Sequence, residues 1–284
     1  MKNLKKSLLL LPAFLALASC GTSASKNTYV DPETGYSVNL ISEELLVASL
    51  GDYGLAALPA NTALTGRVTA APLAVGDDPA QVALRANGLA VRLGEYQGNL
   101  GYKGKIDALT DALLSPAVSQ FAAASWNGKI IANVSSQIDL RAKLNANPTG
   151  GDSAKIIKVA ASETPHAAIL NSVVKPALSA QGYDLQVTVL DWTIQNSALA
   201  AGDYDANYFQ HEPYLNAWLS ENQAALAFTC KVHYEPLGIY EGGKKGEKSI
   251  EICADESNAV RAFELLQAKG YLKTIPVKEG KLTL

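Results

Sequence analysis

Ile156-Ile-Lys-Val-Ala-Ala161 is an apolar run of strand length. It is followed by His166 to Gln181, with apolar residues at Ile169, Val173, Ala177 and Leu178, and then by Leu185-Gln-Val-Thr-Val-Leu190. The middle segment repeats at helical spacing and stops at Gly182, while the flanking runs are short and bounded by turn residues. Strand, helix, strand reads as a βαβ unit, the building block of an α/β sheet. Beyond it, Asn196 to Ala201 reads as a short helix ended by Gly202, and Tyr204 to Tyr208 as a third strand. A strand to Val232, a crossing from Val232 to Tyr240, a Gly/Lys-rich hairpin from Gly242 to Lys248 and a strand from Ile250 to Ala254 come next. A helix from about Asn258 to Lys269 closes this part, with Ser257 as its expected N-cap and Gly270 after it.

Before the βαβ unit, Asn145-Ala-Asn-Pro-Thr-Gly-Gly-Asp-Ser153 has the turn-residue density of a linker, and 134–154 is the clearest internal boundary. Upstream of it the alternation is present but weaker. Ser37 to Ile41 reads as a strand, Ser42 to Leu50 as a helical turn, and Tyr53 to Leu58 as a small apolar run stopped by Pro59. Gly76-Asp-Asp-Pro79 lies in a turn-rich stretch, Gly88 to Leu93 is another run, and Asp107 to Phe121 is a helix broken at Ser115-Pro116. Alternating strands and helices predict an α/β fold with a covered parallel sheet.

Within that frame, Asp203-Tyr-Asp-Ala-Asn-Tyr-Phe-Gln-His-Glu-Pro-Tyr214 is unusual, because it crowds rings, amides and a histidine into twelve residues. Tyr208, Phe209, His211 and Tyr214 can offer ring faces, Asn207 and Gln210 hydrogen bonds. The same residues would also suit a helix start with Pro213 in its first turn and aromatics turned into the core. Its place, at the carboxyl end of a strand leading into a helix, favours a ligand site, since open α/β sheets bind ligands at that edge.

Composition narrows the function. The chain has 284 residues, 48% hydrophobic and 18% charged, with a formal charge of -3. Basic residues are never massed, which argues against nucleic acid as a partner. Lys2, Lys5 and Lys6, an apolar run from Leu8 to Ala18 too short to span a bilayer, and Leu17-Ala-Ser-Cys20 predict a lipoprotein signal peptide over 1–19. Cys20 is then the lipidation site, 20–35 the anchor and tether, and the expected location the outer face of a cell membrane, toward periplasm or cell exterior, held by the lipid alone. Cys230 and Cys253 lie in apolar, strand-like runs and could pair or stay single buried thiols. Three histidines without a metal-binding spacing predict no metal site, and no cofactor is expected. His211 beside Glu212 is the one pair suggestive of catalysis, but it has no oriented partner, so no catalytic residue is expected.

Five segments together resemble the methionine-binding, NlpA-type lipoprotein family of ABC importers. They are Thr164-Pro-His166, Asp191-Trp-Thr-Ile-Gln-Asn196, Gly202 to Leu215, Glu235-Pro-Leu-Gly-Ile-Tyr240 and Asp255-Glu-Ser-Asn-Ala-Val-Arg261. The resemblance covers Lys155 to Leu272. The family's remaining part resembles, more weakly, the front of this chain: Tyr36 to Leu58, Gln81 to Arg92 and Asp107 to Ile131. The order implies a circular permutation. The expected architecture is a two-lobe periplasmic-binding-protein fold, α/β, with a sheet in each lobe and a ligand cleft between them. One lobe is continuous over 85–232 and contains the 134–154 linker; the other is split between 36–84 and 233–284.

The resemblance further implies a bound amino acid, methionine first, and a partner permease and ATPase. Carried over by position, Trp192, Phe209 and Tyr214 would enclose the side chain and His211 would line the same wall. Arg261 would grip the carboxylate, with Asn87 as a polar contact. Where the family has a head-group Asn this chain has Pro59, so Asn61 is its expected substitute and another amino acid or a short peptide stays open. On this reading Arg261→Ala costs affinity and leaves the stability of the empty protein close to wild type. The competing reading is a surface lipoprotein that keeps the fold for a structural or adhesive role.

Overall fold

The computed structural model describes residues 28–41, 74–78, 81–126, 129–151, 155–239 and 248–284. The signal segment with Cys20, the helical turn from Ser42, the strand ending at Leu58, Pro59, Asn61 and nearly all of the 242–248 hairpin lie outside those residues. In chain order the first described half holds β1 Thr28–Val30, β2 Ser37–Ile41, β3 Ala74–Val75, α1 Val82–Arg85, β4 Asn87–Arg92, α2 Leu93–Gly98, α3 Leu100–Leu113, α4 Pro116–Trp126 and β5 Ile138–Asp139. Then come β6 Ile156–Ala161, π-helical turns at Glu163–Ala167 and Leu170–Val174, α5 Lys175–Ser179, β7 Asp184–Val189, α6 Trp192–Ala201, β8 Ala206–His211, α7 Glu212–Glu221 and β9 Leu226–His233. The chain ends with β10 Gly238–Ile239, β11 Ser249–Cys253, α8 Glu256–Ala268, β12 Val277–Lys278 and β13 Lys281–Leu282.

The βαβ unit forms as expected, with β6 parallel to β7. Around it a six-stranded sheet runs β5-β9-β4-β8-β6-β7. It is mixed rather than parallel: β6 also pairs parallel with β8, but β4 runs antiparallel to both β8 and β9. Apolar periodicity reports burial and says nothing of strand direction, so this half of the topology was not readable. All six residues of β8 are buried, as are the first five of β4, because helices cover both faces. On one face Ile106, Leu109 and Leu113 of α3, Val118 of α4, and Ile169, Leu170, Val174 and Leu178 pack on Leu89, Val91, Ile157, Val159 and Tyr208. On the other, Leu199 of α6 and Leu215 of α7 pack on Ala90, Leu226 and Phe228. Helix α3 starts at Leu100 rather than Asp107. The Asn99 side chain caps it by accepting from the Tyr102 N–H at 2.9 Å, and glycines at 101 and 104 hide the turn from an apolar-spacing test.

Strand β4 is flanked by irregular pairing. Gly88 lies opposite Gln210 but Leu89 opposite Tyr208, so Phe209 is the extra residue of a bulge in β8. On the other side Leu89 faces Cys230 and Ala90 faces Phe228, which makes Thr229 the extra residue in β9. The backbones close in at Gly88, where an added Cβ would lie 2.5 Å from the Cys230 carbonyl oxygen and 3.0 Å from the Phe228 ring.

A second sheet is assembled from the two ends of the chain. β1 pairs antiparallel with β2, and β2 pairs parallel with β11 from Ser37↔Ser249 to Ile41↔Cys253. Helix α8 lies on it through Ala259, Phe263 and Leu266, against Val38, Leu40, Ile252 and Leu272. The N-cap of α8 is Asp255, whose carboxylate accepts from the Ser257 and Asn258 N–H groups, not Ser257 itself. The Asp31 carboxylate accepts from the Lys273 N–H at 2.7 Å and the Thr274 N–H at 2.8 Å, tying the first strand to the last segment. Cys230 in β9 and Cys253 in β11 are buried and no disulfide joins them. Burial pushes the Cys230 thiol up to about 12, which keeps it protonated.

Gly88→Ala should lower stability by roughly 1–3 kcal/mol, since the new methyl group meets backbone that has no room to move. Chemical denaturation of the two proteins measures it, and equal midpoints would mean that β4 and β9 can part there without cost.

Candidate functional site

β8 runs three residues further than the sequence suggests, to His211, so Phe209, Gln210 and His211 belong to the strand and only Tyr214 to the helix after it. The bulge at Phe209 is the reason: it lets an aromatic and polar stretch stay paired while turning its side chains away from strict alternation. The three expected cage residues come together there. The Trp192 and Tyr214 rings lie 5.3 Å apart at 65°, and the Phe209 and Tyr214 rings 5.7 Å apart at 76°, both edge-to-face arrangements. Trp192 opens α6, set by the Asp191 cap, and Tyr214 sits in the first turn of α7, capped by His211.

His211 links this wall to a polar network. Its Nδ1 accepts from the Tyr214 N–H at 3.3 Å, which leaves the proton on Nε2 to donate to Asn258 Oδ1 at 3.2 Å. Burial, with the Arg261 guanidinium adding to it, pushes His211 down to about 4, so the ring is neutral at physiological pH. Asn258 Oδ1 also accepts from Arg261 Nη1 at 3.0 Å. Behind the sheet edge, Asn196, Asn207 and Gln210 form a buried amide cluster, with contacts of 2.6–3.1 Å, that holds β8 against α6.

Arg261 is 2% exposed, and its fork already meets a carboxylate of the chain. Nε and Nη2 donate to Asp77 Oδ1 at 3.3 Å and Oδ2 at 3.0 Å, and Nη2 also donates to the Glu235 carbonyl at 2.9 Å. Described residues thus engage four of its five N–H groups. The expectation that its removal would leave the empty protein's stability unchanged is therefore corrected: a buried Asp77 would lose one of its two guanidinium partners, Arg85 being the other. Asp77 also accepts from Arg85 Nη1 at 2.8 Å, Tyr234 Oη at 2.5 Å and the Leu237 N–H at 3.2 Å. No sequence signal marked it beyond its place in Gly76-Asp-Asp-Pro79, which reads as an ordinary turn.

Asn87 lies at the start of β4, 2% exposed, and its Nδ2 donates to Glu235 Oε1 at 2.7 Å. His233, His166 and Tyr208 close around the same carboxylate. His233 Nε2 is 2.7 Å from Glu235 Oε1, its Nδ1 is 2.5 Å from Tyr208 Oη, and the His166 ring stands 4.9 Å from that of His233. Burial raises the Glu235 carboxyl, although His233 pulls it down, and burial with the neighbouring His233 holds His166 well below the ordinary histidine value. His166 and Glu235 stand in segments that carry the family resemblance, yet nothing in their spacing placed them beside His233. Asn61 and Cys20 lie outside the described residues; Trp192, Phe209, His211 and Tyr214 adjoin one another, while Arg261 and Asn87 reach them through Asn258 and Glu235.

Burial alone would raise the Asp77 carboxyl, but Arg261 together with the Tyr234 hydroxyl and the Leu237 N–H more than offsets this and holds it below its ordinary 3.8. A carboxyl lowered on folding contributes stability above its unfolded value, and the contribution is lost as pH falls through the folded one. Asp77→Asn should therefore cost about 3–5 kcal/mol at neutral pH by leaving Arg261 without its counter-charge. The gap to wild type should narrow below pH 3.8, where the unfolded chain takes up the proton. Urea denaturation across pH measures both, and a pH-independent gap would remove the ion pair from the account.

Residues 157–284 match the NlpA lipoprotein family. Among relatives, the methionine-binding lipoprotein MetQ of Bacillus subtilis is 43% identical over 132 residues, 46% of this chain and 46% of the relative. The D-methionine-binding lipoprotein MetQ of Salmonella typhi is 32% identical over 113 residues, 37% of this chain and 41% of the relative. The chain thus spans less than half the length of these curated relatives. A crystal structure of a putative methionine-binding lipoprotein from Bacillus subtilis aligns at 50% identity with a TM-score of 0.24, covering 25% of this chain and 29% of that one. Over residues 157–284, this chain is similar to the NlpA lipoprotein family.

Proposed function

We propose that the chain is a lipid-anchored substrate-binding protein of an ABC importer, holding methionine, a related amino acid or a short peptide in a cleft between two lobes. It is a binding protein and not an enzyme. The observation that carries this reading is the aromatic wall of Trp192, Phe209 and Tyr214 beside the neutral His211. A thioether suits such a wall, since each sulfur–ring contact is worth roughly 0.3–1.5 kcal/mol. The names of the relatives, methionine-binding lipoproteins, agree with it. Asn87 and Arg261 stand at the head-group end, with Asn61 as the proposed third contact, and a partner permease and ATPase would receive the ligand. No helix among the described residues is long and apolar enough to cross a membrane, so the anchor of the proposal is lipid on Cys20.

The same reading includes a circularly permuted order, with 85–232 as one lobe and 36–84 returning to 233–284 as the other. The parallel pairing of β2 with β11 and the Asp31 link to Lys273 and Thr274 support it. Moving a chain break costs only loop-closure entropy when the joined ends are near. If the two segments are one unit, amides of 37–41 and 249–253 should open together in native-state hydrogen exchange. Fast exchange of 37–41 alone would break the split lobe apart.

A second reading, a surface lipoprotein with a structural or adhesive role, is favoured by the occupied fork of Arg261. A thermal-shift screen of the protein lacking residues 1–20 separates the two. Ligand at 100 times its dissociation constant adds about 2.7 kcal/mol, a shift of a few degrees. L-methionine, methionine sulfoxide and methionine dipeptides are the first compounds to try. Phe209→Ala should then weaken methionine by about 1–3 kcal/mol and a polar amino acid by less. No shift from ligand-free protein would favour the structural reading.

A further inference from the structure

Four polar side chains meet in the interior between the end of β9, the start of β4 and the turn after β6. His166 and His233 are fully buried, Asn87 2% and Glu235 3% exposed. They meet one another's needs only in part, through Glu235 Oε1, which Asn87 Nδ2 and His233 Nε2 share. Both ring nitrogens of His166, Glu235 Oε2 and Asn87 Oδ1 are buried with no hydrogen-bond partner among the described residues. An unpaired buried polar atom is costly, and four in one small region of the interior ask for an occupant.

The chemistry of the donors selects that occupant. One nitrogen each from His166 and His233 and one oxygen of Glu235 lie within 4.8 Å of one another. Among the described residues, neither ring nitrogen of His166 is engaged by a hydrogen bond, so one is free to ligate. His233 is oriented from behind: Tyr208 Oη is 2.5 Å from Nδ1, the outer hydrogen bond that fixes a ligating ring with Nε2 facing inward. Two imidazoles and a carboxylate are a familiar donor set for Zn²⁺, with a fourth position left over.

We propose that His166, His233 and Glu235 form a buried site for a divalent transition cation, Zn²⁺ by donor set, with Tyr208 as the residue that positions His233. The cation takes the place of the one proton between His233 Nε2 and Glu235 Oε1, which leaves to solvent, while the separate proton on His233 Nδ1 stays and is donated to Tyr208 Oη. A water can complete the fourth position. Such a cation pins the turn after β6 and the crossing that begins at Tyr234 to the end of β9, directly behind Asn87. It does so whichever ligand the cleft takes, and so stands apart from the importer reading.

The test uses untagged protein lacking residues 1–20, stripped with chelator, loaded with equimolar Zn²⁺ and dialysed. Wild type should retain close to one Zn²⁺ per chain by elemental analysis and melt at a higher temperature than the stripped form. His166→Ala should lose the metal, and so should Glu235→Gln, which keeps the shape of the side chain if the first variant folds poorly. Co²⁺ in place of Zn²⁺ should show ligand-field bands without thiolate charge transfer. Wild type that retains no metal, or both variants retaining it, overturns the site. A thiolate band overturns it too, by moving the metal to Cys230 or Cys253.

Discussion

Taking a guanidinium out of water is tolerable only where a counter-charge and enough acceptors meet it, and for Arg261 the larger part of that environment comes from residues remote in the chain. Asp77 provides a two-point contact, Glu235 a carbonyl and Asn258 an amide oxygen. At an effective dielectric near 20, unit charges about 3 Å apart attract by roughly 5 kcal/mol, the scale of the desolvation they must offset. The pair therefore holds only if α8, the segment before α1 and the crossing after β9 keep their places together. Arg85 reinforces this from the other side, bridging Asp77 and, on α8, Glu264, each at 2.8 Å. The six-stranded sheet and the smaller sheet beneath α8 share no strand and are thereby joined through charge.

That arrangement changes how the head-group end of the proposed cleft works. An arginine with described partners on four N–H groups is a fixed wall with a single donor to spare. A ligand carboxylate would have to share Nη1 with Asn258 or displace Asp77, and displacement would expose a buried carboxylate already held by Arg85 and Tyr234. The side-chain end has no such competition, because the rings of Trp192, Phe209 and Tyr214 touch each other edge-on and can re-pack around an apolar guest. Binding energy in this chain should accordingly be weighted toward the side chain of the ligand.

The elements that were legible in the sequence are those fixed by local chemistry. The βαβ unit showed in the switch between short apolar runs and helical spacing, and the helix end at Gly202 is real, with φ at 90° where a Cβ would be strained. The aromatic stretch was legible for the same reason, since its composition suits neither a plain core strand nor a solvated loop. What was hidden is non-local. Strand direction, the bulges beside Gly88, the reach of β8 to His211 and the partners of Arg261 depend on which segments meet, and a turn such as Gly76-Asp-Asp-Pro79 carries no mark that its aspartate will be buried. Asp255 displaced Ser257 as the cap of α8 because a carboxylate two residues earlier reaches two N–H groups at once.

The histidine pocket shows how far such non-local assembly can go. The chain has three histidines, and no pair of them has a metal-binding spacing. His166 follows the first strand of the βαβ unit, His233 ends a strand more than sixty residues later, and Asn87 comes from the other side of the linker, yet Tyr208 contacts both imidazoles from the strand that lies beside β4 and β6. Imidazoles buried edge-on against a tyrosine are compatible with a plain core, but a core has no use for a carboxylate raised by burial with one oxygen unpaired. Evolution can remove such a group by a change to glutamine or leucine at little structural cost. Its presence, aimed with two lone-pair donors at a single point, is the physical argument that the pocket is built around something that binds there.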